Sequence, residues 1–193
     1  MSQAFDKTTL EELYSTSKIR EQVDILAKRI AQDYAPILKQ EGRGFRLILV
    51  GVLSGAEPFL SDLARALSAH FPLGYIEKEY VALSSYRDGL VSGAVRFLLD
   101  TKQPLTDAHV LVVEDIVDTG KTLAHLISLL EARLVKSLKV CVLIDKVVAR
   151  EKEVQTDYVG FRTEEDLWLI GYGLDYNAKG RELPNIQSIH FEA

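Results

Sequence analysis

The chain of 193 residues contains a single cysteine, Cys141, so no intrachain disulfide can form and the cystine-stapled scaffolds of small secreted domains are excluded. Cys141 lies in the apolar run Val140 to Ile144 and reads as a buried structural thiol in a reducing compartment. Long hydrophobic runs are also missing. The longest, such as Leu47 to Leu53, fall far below the roughly 18 residues of a membrane span, and the polar start MSQAFDKTTLEELYS holds no signal-peptide core. Nor is there a basic excess: 23 Lys and Arg stand against 28 Asp and Glu, a net charge of -5. That balance argues against a protein that coats nucleic acid, although it allows a local basic pocket for a small anion. The histidines, His70, His109, His125 and His190, have no metal-ligand spacing. No repeat, low-complexity tract or Pro/Gly/Ser-rich linker divides the chain. With 47% hydrophobic residues, the expectation is one cytoplasmic globular domain with a real core and with neither membrane nor nucleic-acid partners.

Periodicity supplies the architecture. Thr8 and Glu11 have the spacing of a capping box. Downstream, Ile19, Val23, Leu26, Ala27, Ile30 and Tyr34 recur every three or four residues, which predicts an amphipathic helix ending near Pro36. Short apolar runs follow, at Phe45 to Leu53, Val110 to Val113 and Leu138 to Ile144. Such runs suit strands buried on both faces of a parallel sheet, and helical patterns near Glu57 to His70 and Thr122 to Arg133 separate them. Tyr75 to Leu83 and Ala94 to Asp100 are β-like segments. They flank the polar stretch Ser84 to Gly93, which fits either an exposed hairpin or a lid. The fold class is α/β.

The chemistry concentrates in Leu111-Val112-Val113-Glu114-Asp115-Ile116-Val117-Asp118-Thr119-Gly120-Lys121-Thr122-Leu123. A buried strand runs into paired carboxylates, then a third, then a small turn that opens a helix. Ligands of open α/β sheets bind beyond the carboxyl ends of the strands, and a helix N-terminus offers free N–H groups to phosphate. Ionised carboxylates are acceptors only, so Glu114 and Asp115 suit ribose hydroxyls or a Mg²⁺ shell. The combination describes a sugar phosphate. A Walker A loop would need glycine five positions before Gly120, where Asp115 stands.

The run VVEDIVDTGKT resembles the signature of type I phosphoribosyltransferases, which bind 5-phosphoribosyl-1-diphosphate (PRPP). VALSSYRDG resembles their flexible loop. Asp145-Lys146 at a strand end, Tyr158 to Phe161, and Trp168 to Asn177 are similar to the base-binding hood of the hypoxanthine-guanine phosphoribosyltransferases. The resemblance implies a mostly parallel central sheet flanked by helices, with a core at about 37–145 and a small β-rich hood from about 146–193 with the N-terminal segment. It implies purine salvage: transfer of phosphoribose to hypoxanthine or guanine, giving IMP or GMP and pyrophosphate, with Mg²⁺, in a homodimer or homotetramer. Alternatives are a preference for xanthine, or a PRPP-binding regulatory protein, which should carry an added basic surface.

By the same resemblance, Glu114 and Asp115 hold the ribose and, with Asp175, the metal. Asp118, Thr119, Gly120, Lys121 and Thr122 cradle the 5′-phosphate, with backbone N–H groups favoured over the Lys121 amine. Asp118 is the catalytic proton handler. Ser54, Gly55 and Arg181 meet pyrophosphate, while Ser85 and Tyr86 belong to the lid. Lys146, Trp168, Leu169 and Ile116 bind the purine. Arg150 either stabilises the hood or reaches the pyrophosphate. One departure stands out: relatives commonly carry lysine between the leucine and glycine of the pyrophosphate loop, and this chain has Leu53-Ser54-Gly55, with one cation fewer.

Overall fold

The nearly continuous apolar runs form the middle of a six-stranded sheet in the computed structural model, which describes residues 8–85 and 95–191. Its strands are β2 (Leu47–Val52), β3 (Ile76–Ser85), β4 (Val95–Leu99), β5 (His109–Val117), β6 (Ser137–Lys146) and β7 (Tyr158–Thr163), in the order β4-β3-β2-β5-β6-β7. All neighbouring pairs are parallel except β3 with β4. Helix α1 (Thr16–Glu41), helix α2 (Glu57–Leu67) and helix α3 (Lys121–Glu131) cover the sheet.

Coverage of both faces explains the unbroken apolar runs. Leu47 and Leu49 of β2 face the cluster built by Ile19, Val23, Leu26 and Ile30 of α1 and Phe59, Leu60 and Leu63 of α2. The alternate residues Ile48 and Val50 join Leu123, Leu126 and Leu130 of α3 on the other side. Each such buried side chain contributes about 1.5–3 kcal/mol through loss of apolar surface to water. Cys141 is fully buried, and desolvation pushes its thiol pKa up, as a structural thiol requires.

A second, antiparallel sheet stands where the β-rich hood was expected. Strand β1 (Thr8–Tyr14) pairs with β9 (Ile186–Phe191), which also pairs with β8 (Trp168–Ile170). Tyr14 stacks on Phe161 of β7 with ring centroids 3.9 Å apart, tying this sheet to the larger one.

Two sequence expectations need correction. Thr8 and Glu11 form no capping box, since both lie in β1 opposite Phe191 and Ser188. Helix α1 is instead capped by Ser15, whose hydroxyl accepts from the Lys18 N–H at 3.3 Å. A strand partner almost the whole chain away leaves no trace in a local spacing. Helix α1 also continues past Pro36 to Glu41. Proline removes one intrahelical donor, but Gln32, whose carbonyl loses it, is exposed and can bond water instead. Ile37 and Leu38 beyond the proline pack on the core and hold the last turn.

Candidate functional site

Strand β5 carries the acidic pair to the carboxyl edge of the sheet. Asp115 is buried and its Oδ1 accepts the Ile116 N–H at 2.9 Å. Burial, then the adjoining Asp115 carboxylate, push Glu114 well above the usual carboxylate range. Burial raises Asp115 too, opposed by its hydrogen bonds and by the Arg181 charge. With one backbone N–H on Asp115 Oδ1, the two carboxyls keep acceptor capacity for further donors such as hydroxyls.

The loop after β2 closes against this pair. Its Leu53–Ser54 peptide bond is cis, Ser54 is exposed, and Gly55 is buried. A Cβ on Gly55 would overlap Asp115 Oδ2, so only glycine permits this approach. The turn after β8 rests on the same loop, because a Cβ on Gly173 would overlap the Gly55 carbonyl. Arg181 donates to the Gly173 carbonyl at 2.6 Å and pairs with Asp175 at 2.5 Å. Asp175 Oδ2 also accepts the Ala178 N–H at 2.7 Å. Ser54, Gly55, Asp115, Asp175 and Arg181, far apart in sequence, thus share one wall.

Beyond β5 the chain turns into α3 through Gly120, which has φ +80°. A cavity of about 220 Å³ opens there, lined by Glu114 to Gly120 with Thr122 and Leu123. The loop is braced from behind. The Thr119 carbonyl accepts the N–H groups of Glu151 and Lys152 at 3.0 and 2.9 Å. Arg150 donates to the carbonyls of Asp118 and Val117 at 3.1 and 3.3 Å and pairs with Asp145. Arg150 therefore braces the turn between β5 and α3 from behind. The Lys121 ammonium pairs with Glu151, which favours the backbone N–H groups of the turn as anion donors.

On the opposite side lies Lys146, the last residue of β6, with a side chain only 10% exposed. Its Nζ is 2.6 Å from Asp166 and 3.9 Å from Asp118. Trp168 is 60% exposed, with its edge-on neighbour Tyr176 at 5.6 Å. An exposed indole at this site presents area on which a flat ligand can stack. Leu169 is buried beside it, paired with Ser188, and Ile116 is half-buried against the core.

Of the expected lid residues, Tyr86 lies outside the described residues, and Ser85 is placed as the last residue of β3, opposite Val95. Among the described residues no group of three or more His, Cys, Asp or Glu could by itself hold a metal. Sequence reasoning missed Asp166, whose only signal was the acidic run Glu164-Glu165-Asp166 just beyond a strand. It also missed the pairing of Asp145 with Arg150 and Arg162, which no spacing announces.

A phosphoribosyl transferase domain model matches residues 10–177. The hypoxanthine-guanine phosphoribosyltransferase of Dictyostelium discoideum is 36% identical over 94% of this chain and 96% of its own length. A bifunctional protein TilS/HprT of Listeria monocytogenes is 37% identical over 90% of the chain, which spans 25% of that longer protein. Among solved structures, a hypoxanthine phosphoribosyl transferase of Trypanosoma cruzi superposes with a TM-score of 0.83 at 38% identity, covering 96% of this chain and 93% of the other. One from Staphylococcus aureus gives 0.81 at 32% identity, covering 93% and 91%.

Proposed function

The chain belongs to the phosphoribosyl transferase family, and from that premise we propose that it transfers phosphoribose from PRPP to hypoxanthine or guanine, releasing pyrophosphate. The observation that carries the base assignment is a buried amine, Lys146, within 3.9 Å of the Asp118 carboxylate at the mouth of the phosphate loop. Lys146 has donors only, so it satisfies a 6-oxo group and leaves the 6-amino group of adenine unmatched. An unpaired buried polar group costs about 1–3 kcal/mol, worth one to two orders of magnitude in selection. Trp168 stacks on the purine, Ile116 packs beside it, and the Leu169 carbonyl accepts the 2-amino group of guanine.

Glu114 and Asp115 accept the ribose hydroxyls, which add to the Ile116 N–H already on Asp115. The N–H groups and hydroxyls of Asp118 through Thr122 hold the 5′-phosphate at the start of α3. Backbone N–H groups of Ser54 and Gly55, with Arg181, hold the pyrophosphate. The bond from the purine nitrogen to the anomeric carbon forms as the bond to pyrophosphate breaks. Asp118, with its carboxylate about half exposed, accepts or shares the proton of the purine imidazole nitrogen.

Mg²⁺ fits the donor set as a site completed by substrate. A hard cation takes one or two carboxylates together with phosphate and hydroxyl oxygens; either the Glu114 and Asp115 pair or Asp175 would supply that share, since no three such residues gather among the described residues. When bound, it neutralises charge on the leaving pyrophosphate as a Lewis acid. We extend the proposal to a homodimer or homotetramer and to the cytoplasm. The unpaired, buried Cys141 supports a reducing compartment, and no helix of the described residues is long and apolar enough to cross a membrane.

The test is one assay with PRPP, Mg²⁺ and hypoxanthine, guanine, xanthine, adenine or uracil in parallel. Turnover of the 6-oxopurines supports the reading, and turnover of adenine or uracil alone would sink it. Xanthine turnover well above the other two would shift the substrate, since its 6-oxo group meets Lys146 equally well.

A further inference from the structure

Lys146 and Thr163 face each other in the β6–β7 register. Three acids follow Thr163, namely Glu164, Glu165 and Asp166. The Glu165 N–H donates to Thr163 Oγ1 at 3.2 Å, which tightens the turn and carries the Asp166 carboxylate back to the end of β6, 2.6 Å from Lys146 Nζ. The two partners differ in burial: the lysine side chain is 10% exposed and the aspartate 74%. For the aspartate, in water, a surface ion pair is worth little. For the lysine, a buried ammonium without a counter-charge is costly, so the contact serves the lysine.

On its other side the ammonium has Asp118 Oδ1 at 3.9 Å, an ion pair longer than a hydrogen bond. If Asp166 were absent, that carboxylate would be the acid at hand, and a flexible four-carbon stem can close such a gap. The closed pair would occupy at once the donor meant for the 6-oxo group and the acceptor meant for the imidazole nitrogen. We propose that Asp166 is a positioning residue that holds the Lys146 ammonium beyond hydrogen-bond distance of Asp118 in the base-free protein, so that both groups stay available to a 6-oxopurine. With three donors, Lys146 keeps Asp166 and still donates to the arriving oxygen. This inference rests on the proposed function, for which Asp166 adds a determinant of base affinity.

The experiment compares wild type with Asp166→Asn, Asp166→Glu, Lys146→Met and the double variant Asp166→Asn/Lys146→Met. Glu164→Gln serves as a control that removes the same charge from the neighbouring turn. In Asp166→Asn the KM for hypoxanthine rises about five-fold, a fold-change within the range of coupled charge pairs, while kcat and the KM for PRPP hold. Asp166→Glu restores the base KM, and Glu164→Gln leaves it alone. In the Lys146→Met background the Asp166→Asn change has no further effect, because the group it positions is gone.

A readout without substrate accompanies the kinetics: the carboxyl ¹³C signal of Asp118 moves in Asp166→Asn as the ammonium approaches, and does not move in the double variant. An unchanged Asp118 signal overturns the positioning role whatever the kinetics. So does a hypoxanthine KM rise of equal size in the Lys146→Met background. A wild type that turns over no 6-oxopurine overturns the functional reading instead, and the carbon signal then decides the positioning by itself.

Discussion

At the scale of single residues, the proposed roles can be tested one side chain at a time. Asp118→Asn keeps the shape and removes the charge, so kcat should fall at least about 100-fold, the lower end of what general acid–base groups contribute. A loss of only a few-fold in steady-state turnover would withdraw the proton-handling role. Ser54→Lys tests the missing cation of the pyrophosphate loop. Ser54 is exposed, so the longer side chain has room, and one added charge should lower the KM for PRPP by about two- to five-fold. An unchanged value would mean that backbone N–H groups suffice. Residues of this kind were legible in the sequence because Glu114, Asp115, Asp118 and Gly120 fall in one short register. Asp166 was not, because its meaning depends on a lysine that only the β6–β7 pairing brings beside it.

Among the elements, those with one apolar face or an unbroken apolar run were readable, and their limits were less so. The cores of α2, α3, β2, β5 and β6 follow directly from the spacing of apolar residues. The entry to α1 does not, since Thr8 and Glu11 imitate a helix start while pairing as a strand. The observed cap predicts that Ser15→Ala lowers unfolding free energy by about 1 kcal/mol, read as a shift in the urea midpoint; a change at Thr8 should not act through helix capping. The turn into α3 makes a sharper demand. Gly120 has positive φ, and a Cβ there would overlap the Lys152 carbonyl. Gly120→Ala should therefore displace the brace at 150–152 and weaken PRPP binding at least about five-fold, as strain at a special φ combined with overpacking costs about 1–3 kcal/mol. Calorimetric titration with PRPP would measure it, and wild-type affinity would show that the loop yields freely.

For the whole molecule, charge is divided between the two edges of the sheet. The acidic pair and the turn into α3 occupy the carboxyl edge. Away from the site, Asp33 accepts from the Tyr158 hydroxyl at 2.8 Å and Lys139 at 3.2 Å, Glu41 from Lys136 at 2.8 Å, and Asp100 from Arg133 at 2.7 Å. These hydrogen bonds, Tyr158 first for Asp33, Lys136 first for Glu41 and Arg133 first for Asp100, hold all three carboxyls below their usual range. A carboxyl depressed in the folded state stabilises it above the unfolded pKa, and that contribution is lost as pH falls through the folded value. Thermal melts should accordingly show the Tm falling as pH drops below about 4, with a smaller fall in Asp33→Asn, Glu41→Gln and Asp100→Asn. The pairing of β1 with β9 sets Thr8 opposite Phe191, which bears on how the chain is made. A ribosome delivers the turn between β5 and α3 early, but Trp168 and Leu169 on β8 gain their sheet partner only when Ile186 to Phe191 emerge. During synthesis the wall built on β5 can be in place while Trp168 and Leu169 still wait for β9 to be threaded between its two neighbours.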